Sequence, residues 1–301
     1  MTNADEDTAD FELELDFARA FFAPEQPRFD VHYGGVSHVG SVRSSNEDHY
    51  AIIRRTRGQE MMQTNLPSCL ALPEEEAYAL VVADGMGGQA FGEFASRVTL
   101  QMIFELAGRA SSWLMRLTDP DMQQVRQRVD AYVQQTQETL QHYARLDPQL
   151  RGMGTTCTLA YLMPPHAIVA HIGDSRAYHL HGGSFEQITH DHTLAQKMID
   201  AGIAPEKVRR FRSLLTNALG GEHPDAHAEV NHVELAAGDQ LLLCTDGLTN
   251  MVDDETIAEQ LHSHDDPQAA CDRLLELALE AGGEDNITVV VARITPPAAS
   301  A

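Results

Sequence analysis

Apolar residues along this chain of 301 residues follow two kinds of pattern, which occur in separate blocks. Short runs rich in valine, isoleucine and leucine, each bounded by turn residues, predict β-strands. Longer stretches with apolar residues three and four positions apart, such as Val125, Val129 and Val133, predict amphipathic helices. The predicted strands are 31–39, 49–54, 77–83, 155–162, 167–172, 176–181, 230–235, 240–245 and 286–294, and the predicted helices are 89–108, 121–145, 253–262 and 267–281.

The order of these elements predicts the fold class. Helices come in pairs between blocks of strands, whereas a doubly wound parallel sheet needs a single crossover helix between neighbouring strands. We therefore expect an α+β domain in which helix pairs cover mostly antiparallel sheets. Two segments interrupt the pattern, a loop at 56–76 and a stretch at 202–221 that holds Arg209, Arg210 and Arg212. The positive charge of the second segment suits the approach of a phosphorylated substrate, although a solvated helix face explains it equally well.

The chain is strongly acidic. Asp and Glu number 45 against 21 Lys and Arg, which gives a formal net charge of −24. Such a charge repels polyanions, so we expect neither a nucleic-acid partner nor binding to an anionic membrane surface. No apolar run approaches the roughly 18 residues of a membrane span, and four cysteines are too few for a disulfide scaffold. We therefore expect a cytoplasmic protein that does not insert into membranes.

Residues 1–28 are interpreted as an acidic N-terminal extension. Seven acids and no Lys or Arg lie within the first sixteen residues, which is the reverse of a secretory signal. The apolar residues of this segment fit both periods, because Phe11, Leu13, Leu15 and Phe17 alternate while Phe11 and Leu15 also fit helical spacing. The pattern does not decide between strand and helix, and a solvated tail is a more common role than a partner-binding segment.

Acidic residues recur where predicted strands meet turns. Asp84, Asp174 and Asp246 each follow an apolar strand beside a glycine, and Asp285 stands at the start of the last strand. Carboxylates that converge without matching Lys or Arg are costly unless protons or cations neutralise them. Oxygen ligands without Cys or His favour hard ions, so Mg²⁺ or Mn²⁺ is expected rather than Zn²⁺. Two such ions, roughly 3.5 to 4 Å apart, would generate a hydroxide for in-line attack on phosphorus.

Other catalytic templates are missing from the sequence. There is no Gly-x4-Gly-Lys-Ser/Thr phosphate loop and no Gly-x-Ser-x-Gly nucleophile elbow. No cysteine is followed by an arginine six positions on, which excludes a cysteine-dependent phosphatase. Close histidine pairs such as His179 and His181 lack the Cys pair or the His-Glu-x-x-His helix of a zinc site, so we assign them to surface or supporting roles.

Eight short motifs occur in a fixed order between residues 30 and 295. They are RSSNED at 43–48, DGMGG at 84–88, GTT at 154–156, GDSR at 173–176, DH at 191–192, LTNALG at 215–220, TDGL at 245–248 and GEDN at 283–286. One motif would be weak evidence, but eight in sequence are highly specific. In order and spacing, the set closely resembles the metal-dependent type 2C serine/threonine protein phosphatases of the PPM family, especially their bacterial members.

This resemblance implies a fold and an activity. The implied fold is a two-layer antiparallel β-sandwich flanked by helix pairs, an α-β-β-α arrangement, over a catalytic domain at 29–296 with a flap-like segment at 202–221 and a tail at 297–301. The implied enzyme is a phosphoric monoester hydrolase that acts on phosphoserine and phosphothreonine through a hydroxide bridging two Mn²⁺ or Mg²⁺ ions. Its implied partners are phosphorylated signalling proteins and a cognate bacterial Ser/Thr kinase, and a monomer is expected.

The resemblance also implies roles for individual residues. The residues implied to hold the two ions are Asp84, the Gly85 carbonyl, Asp246 and Asp285, with Asp174 at a third, weaker ion. Arg43 is similar to the phosphate-binding arginine, for which a planar guanidinium is suited. Glu47 and Asp48 resemble the acids that hold metal-bound waters, with Asn286 in support. In the flap-like segment, the residues expected to guide the substrate are Arg209, Arg210 and Arg212.

Two positions depart from the pattern of some relatives. Met86 stands where animal relatives have a histidine proposed as general acid, although bacterial relatives share this methionine. Asn250 stands where some relatives have an acid near the third ion. A catalytically idle member that serves as a binding or regulatory module is the alternative, and the intact acids at Asp84, Asp246 and Asp285 favour the enzyme.

Overall fold

The computed structural model describes residues 29–57, 75–87, 91–114, 121–221 and 226–297. Most of the expected loop at 56–76 lies outside the described residues, as do the N-terminal extension at 1–28 and residues 298–301 of the tail. The proposed boundaries of the extension, the catalytic domain and the tail therefore stay predictions.

Twelve strands lie within the described residues, and every pairing between them is antiparallel. They are β1 (Asp30–His38), β2 (Asp48–Arg57), β3 (Glu75–Met86), β4 (Gly154–Thr155), β5 (Cys157–Met163), β6 (His166–Ile172), β7 (Arg176–His181), β8 (Ser184–Gln187), β9 (Leu219–Gly220), β10 (Glu229–Glu234), β11 (Gln240–Cys244) and β12 (Ile287–Thr295). One sheet has the order β1-β12-β11-β7-β8. The other has the order β10-β6-β5-β3-β4-β9, with β2 also paired to β3.

Seven α-helices lie within the described residues, and the four longest cover the outer faces of the two sheets. They are α1 (Phe91–Leu114), α2 (Met122–Leu146), α3 (Leu194–Asp200), α4 (Pro205–Val208), α5 (Asp246–Thr249), α6 (Asp254–Ser263) and α7 (Pro267–Glu280). Capping carboxylates fix the starts of α2 and α6, since Asp121 accepts from the Gln123 N–H at 3.0 Å and Asp253 accepts from the Thr256 N–H at 2.8 Å. None of these described helices combines the length and the apolar character needed to cross a membrane.

Strand β11 shows why the two sheets stack. Its residues Leu241 and Leu243 join the core between the sheets, where Leu80 of β3 also lies. The intervening Leu242 faces the other way, into a second core with Leu274 of α7. Because both faces of β11 are buried, its sequence is apolar at nearly every position rather than alternating.

The helix pair α1 and α2 covers the outer face of the sheet that contains β3, β5 and β6. Val125 of α2 packs with Ala79 of β3 and Tyr161 of β5, and Ala95 of α1 packs with Ile172 of β6. The order of layers is therefore helix pair, sheet, sheet, helix pair. The predicted α+β sandwich with flanking helix pairs is confirmed.

Several short elements differ from the sequence prediction. The strand expected at 155–162 is divided into β4 and β5 at Thr156, whose N–H donates to the Asp84 carbonyl at 2.9 Å instead of continuing one ladder. Strands β8 and β9 and helices α3, α4 and α5 were not predicted. They are two to seven residues long, too short for a periodic pattern to develop.

Candidate active site

Antiparallel pairing brings the predicted carboxylates to one end of the sandwich. Asp48 at the start of β2 pairs in register with Asp84 near the end of β3. The end of β11, which leads into Asp246, pairs with the start of β12, which follows Asp285. Asp174 occupies the turn from β6 into β7, whose first residue pairs with the last residue of β11. We call these five acids the acid cluster.

The backbone of Asp84 is held by the two threonines of the GTT motif. The Asp84 carbonyl accepts from the Thr156 N–H at 2.9 Å and from the Thr155 hydroxyl at 2.8 Å. The Asp84 N–H in turn donates to Thr156 Oγ1 at 3.0 Å. At the next position, a Cβ on Gly85 would collide with the carbonyl of Gly92. Gly85 is therefore required because the start of α1 approaches the end of β3 closely.

Asn286 ties the loop that carries Arg43 and Glu47 to the start of β12. Its buried side chain accepts from the Glu47 N–H at 2.8 Å through Oδ1. Through Nδ2 it donates to the carbonyls of Val39 and Ser45, both at 2.9 Å. These three bonds fix the loop against the sheet end where the acid cluster lies, so Asn286 is a positioning residue.

Asp48 is almost fully buried, with 4% of its surface exposed. Its Oδ2 accepts from the hydroxyl of Thr288 at 2.7 Å and from that of Thr245 at 2.9 Å. Its Oδ1 is buried and has no hydrogen-bond partner among the described residues. Burial raises the pKa of Asp48 to about 7, and the two hydroxyl groups only partly offset this effect.

Burial and mutual repulsion also raise the pKa values of three other acids in the cluster, Asp84, Asp174 and Asp246. Burial raises the pKa of Asp84 well above its ordinary value, and the charges of Asp48 and Asp246 add to the shift. The pKa of Asp174 is raised by burial first and by Asp246 second. Burial and then the charge of Asp285 raise the pKa of Asp246 to about 6. The cluster thus holds more negative charge than its surroundings neutralise.

The donor set of the acid cluster fits hard divalent cations. Asp246 Oδ1, like Asp48 Oδ1, is buried without a hydrogen-bond partner among the described residues. A cation would satisfy such oxygens and remove the repulsion that raises the pKa values. The residues predicted to hold ions are all at this end of the sandwich: Asp84, Gly85, Asp174, Asp246 and Asp285. Their roles as ligands stay predictions.

Arg43 lies at the exposed rim of the cluster. Its Nη2 donates to Asp285 Oδ2 at 2.7 Å, and this bond is the main reason that the pKa of Arg43 is raised. Burial raises the pKa of Glu47, while the charge of Arg43 opposes that shift. The guanidinium therefore lies beside the predicted position of the ions, where a group that binds the substrate phosphate has to lie. Phosphate binding by Arg43 stays a prediction.

Sequence reasoning assigned His192 only a surface or supporting role, and it assigned no role to the other residues that hold the turn of Asp174. Gly173 donates its N–H to His192 Nδ1 at 3.1 Å and accepts from the His192 N–H at 2.7 Å. Arg176 donates from Nε and Nη2 to the two carboxylate oxygens of Asp191, at 2.9 Å and 2.7 Å. The motifs GDSR and DH contain these residues, but the pairing between the motifs was not visible in the sequence.

The flap-like segment 202–221 is attached beside this turn. The Thr216 N–H donates to the His192 carbonyl at 2.8 Å, and Val208 is buried and anchors the segment from within. The arginines predicted to guide substrate are exposed, and Arg210 lies over the Phe211 ring at 4.6 Å from its centroid. The three basic side chains are Arg209, Arg210 and Arg212.

The layered fold and the carboxylates at one end of its sheets allow this chain to be compared with known proteins. The sequence profile of the family described as Protein phosphatase 2C matches residues 65–277, and the chain belongs to this family. The serine/threonine protein phosphatase PstP of Mycobacterium tuberculosis is 38% identical over 228 residues, which cover 73% of this chain and 42% of that relative. This chain thus spans less than half the length of that relative. The serine/threonine phosphatase stp of Listeria welshimeri is 28% identical over 255 residues, or 84% of this chain and 91% of the relative.

Solved structures show the same fold. The catalytic domain of PstP in complex with two manganese ions superposes with a TM-score of 0.69 at 33% identity, over 89% of this chain and all of that chain. Serine/threonine phosphatase Stp1 of Staphylococcus aureus gives a TM-score of 0.71 at 27% identity, over 90% of this chain and 98% of that chain. The family resemblance predicted from the motifs is therefore confirmed.

Proposed function

We propose that this chain is a Mn²⁺- or Mg²⁺-dependent phosphatase that hydrolyses phosphoserine and phosphothreonine in proteins. The observation that carries the proposal is the convergence of Asp84, Asp246 and Asp285 with Arg43 at one sheet end. Membership of the Protein phosphatase 2C family supports it, as does the pair of manganese ions in the related PstP structure. The intact acids favour an enzyme over an idle binding module.

Each residue of the site has a task set by its position. Asp84, Asp246, Asp285 and the Gly85 carbonyl would hold two ions, with Asp174 available for a third. Bound ions of this kind supply a water of lowered pKa and neutralise phosphate charge. Arg43 binds and orients the phosphate oxygens, since its planar guanidinium can bond two of them at once.

The remaining groups arrange the site rather than react. Asn286 holds the loop of Arg43 in place through its three hydrogen bonds. Glu47 and Asp48 carry acceptor oxygens beside the ion ligands and would hold water there. The exposed arginines of the flap-like segment attract the acidic surroundings of a phosphorylated residue.

The setting of this activity is part of the proposal. A cognate bacterial Ser/Thr kinase would supply the phosphorylated proteins, because a phosphatase of this kind acts only on proteins that a kinase has already phosphorylated. A reducing, cytoplasmic compartment suits the free thiols of Cys157, Cys244 and Cys271. Burial raises the pKa of each of these thiols to about 12, so they are unreactive. We take the acting form to be a monomer.

Hydrolysis assays test the proposal. The full chain is given an aryl phosphate and a phosphothreonine peptide in the presence of Mn²⁺, Mg²⁺ or EDTA. We expect activity with either ion, none above background in EDTA, and a loss on the order of 100-fold or more in Asp246→Ala. Mass spectrometry of the peptide shows whether the phosphoryl group is removed.

A matched control is His166→Ala, which changes a strand residue paired with His232 outside the site. This variant should retain the activity of the unchanged chain. Activity that persists in EDTA or in Asp246→Ala would contradict the metal-dependent proposal. A chain that binds Mn²⁺ but hydrolyses neither substrate would instead be the idle binding module.

A further inference from the structure

A second cluster of potential metal ligands lies at the opposite end of the five-stranded sheet. His179 and His181 are two positions apart on β7 and therefore face the same side of the sheet. Gln240 at the start of β11 pairs with Leu180, so the preceding residue, Asp239, lies across from His181. Seven residues of extended chain, roughly 20 Å, separate His181 from Asp174 of the acid cluster. We call His179, His181 and Asp239 the histidine cluster.

The polar atoms of the histidine cluster converge on one carboxylate. His179 Nε2 donates to Asp239 Oδ2 at 2.9 Å, and His181 Nδ1 donates to Asp239 Oδ1 at 2.8 Å. One ligand atom from each residue lies within 4.8 Å of the others. Only 3% of the Asp239 side chain is exposed, whereas 59% of the His181 side chain is exposed. The carboxylate is thus fixed from inside, and one imidazole can be reached from solvent.

An access route leads to the histidine cluster. A cavity of about 320 Å³ is lined by His181, Asp239, His262 and Arg293 among others. His262 donates from Nδ1 to the Ala258 carbonyl at 2.7 Å, which leaves its Nε2 as the lone-pair nitrogen. His262 lines the same cavity but is not among the residues whose ligand atoms lie within 4.8 Å of one another, so the site has three protein ligands and leaves a fourth position to water.

The charges around the cavity permit a cation. The Arg293 guanidinium pairs with Asp265 at 2.8 Å, so its positive charge is partly neutralised. Glu186 of β8 lies directly across from His179 and adds a carboxylate on the same face. Asp239 itself supplies a buried negative charge at the centre. The net environment therefore favours a divalent ion over an anion.

We propose that His179, His181 and Asp239 form a binding site for a borderline divalent ion of the Zn²⁺ class. Imidazole nitrogens with a carboxylate suit Zn²⁺, Co²⁺ or Ni²⁺, whereas the oxygen-only acid cluster suits Mg²⁺ and Mn²⁺. Ligand atoms on a tetrahedral Zn²⁺ are about 3.3 Å apart for bonds near 2.0 to 2.1 Å. The N···O distances in the cluster need to open by only a few tenths of an ångström. Each neutral imidazole would move its hydrogen to the other ring nitrogen.

Co²⁺ spectroscopy on the full chain tests this site independently of phosphatase activity. Tetrahedral Co²⁺ bound by nitrogen absorbs visible light strongly, while octahedral Co²⁺ bound by oxygen and water absorbs weakly, so the acid cluster contributes little. We expect a strong band in the unchanged chain that is lost in His181→Ala. Because His181 is exposed, this variant should fold. The control His166→Ala changes a histidine of the other sheet and should keep the band.

Zn²⁺ binding with excess Mg²⁺ gives a second readout. Equilibrium dialysis should show at least one bound Zn²⁺ whose affinity falls about ten-fold or more in His181→Ala and is unchanged in His166→Ala. A band that is absent from the unchanged chain, that survives His181→Ala or that is lost equally in His166→Ala overturns the site. Since none of these measurements uses a phosphorylated substrate, failure of the proposed phosphatase activity would leave them unaffected.

Discussion

The two ends of the β-sandwich both bury carboxylates, but they satisfy them differently. In the acid cluster, Asp48 Oδ1 and Asp246 Oδ1 are buried without hydrogen-bond partners among the described residues. In the histidine cluster, Asp239 accepts from His179 and His181 and also from the Ala236 N–H at 2.9 Å. Burial of a carboxylate therefore does not by itself indicate a need for a cation. A carboxylate short of donors, as in the acid cluster, needs a cation, whereas one with its donors in place, as in the histidine cluster, binds an ion only by exchanging hydrogen bonds for metal bonds.

Because of this difference, we expect the buried carboxylates at the two ends to have opposite effects on the stability of the ion-free protein. Without ions, the acid cluster destabilises the fold, because its pKa values are raised by burial and by like charges. The hydrogen-bonded Asp239 stabilises the fold, since three donors compensate its burial. The same isosteric substitution should therefore have opposite effects at the two ends.

The largest expected effect comes from Asp84→Asn. This change removes one charge from the acid cluster without changing the shape of the side chain. In EDTA we expect the free energy of unfolding to rise by about 1 kcal/mol or more, while activity with Mn²⁺ falls on the order of 100-fold. Urea unfolding and aryl phosphate hydrolysis measure the two quantities.

Asp239→Asn is the matched substitution in the histidine cluster. An uncharged amide has a single acceptor oxygen, so the charge-assisted bonds from His179, His181 and the Ala236 N–H are weakened or lost and stability should fall by about 1 to 3 kcal/mol. If both variants shift stability in the same direction in EDTA, the contrast between the two ends is wrong.

A smaller effect is expected in the pH dependence of ion binding. The pKa values of Asp48 and Asp246 are raised to about 7 and about 6, above the ordinary value near 4. In the ion-free protein, the protonated forms of these two carboxyl groups stabilise the fold. This stabilisation is fully present below about pH 4 and is lost as the pH rises through 6 and 7. Mn²⁺ compensates the ionised forms. Adding Mn²⁺ should therefore raise the Tm by several degrees more at about pH 7.5 than at about pH 5.5.

The difference between Mn²⁺ and EDTA samples is the quantity to measure. Other buried groups titrate in the opposite sense, since burial lowers the pKa of His171 to about 3 and its contribution is lost as pH falls from about 6.5. Subtracting the Tm in EDTA from the Tm with Mn²⁺ at each pH removes the contribution of such groups. A gain from Mn²⁺ that is equal at both pH values would show that the acid cluster does not take up the ions.

Much of the fold was predictable because its strands and long helices are buried in regular ways. The continuous apolar run of β11 and the three-four spacing of α2 are local consequences of packing. Strand β9, in contrast, is defined by its pairing with β4 and not by its own two residues, Leu219 and Gly220. Such an element has no pattern of its own to recognise.

The candidate site divides in the same way. The acids were predictable because each stands at a strand end beside a turn, and strand ends of antiparallel sheets meet. Their partners were not, because Thr288 reaches Asp48 across 240 positions of sequence. The histidine cluster was missed for this reason too, since Asp239 joins His179 and His181 from another strand.

The smallest expected effect concerns the flap-like segment beside the acid cluster. Its exposed arginines can act on a peptide but not on the chemistry, because they lie outside the buried ligand set. Replacing Arg209, Arg210 and Arg212 together with serine should raise KM for an acidic phosphothreonine peptide about 3- to 10-fold. The kinetics of a small aryl phosphate should be unchanged.

A second triple variant that loses the same charge elsewhere separates guidance by the flap-like segment from the effect of the net charge of the chain. The exposed arginines Arg126, Arg128 and Arg145 on α2 can be replaced with serine in the same number. If the flap guides the peptide, this control leaves KM nearly unchanged, and the effect of the flap variant weakens as salt is added. Equal effects of the flap variant on peptide and aryl phosphate would instead place those arginines in the reaction itself. Equal effects of the two triple variants would mean that the peptide senses only the −24 charge of the whole chain.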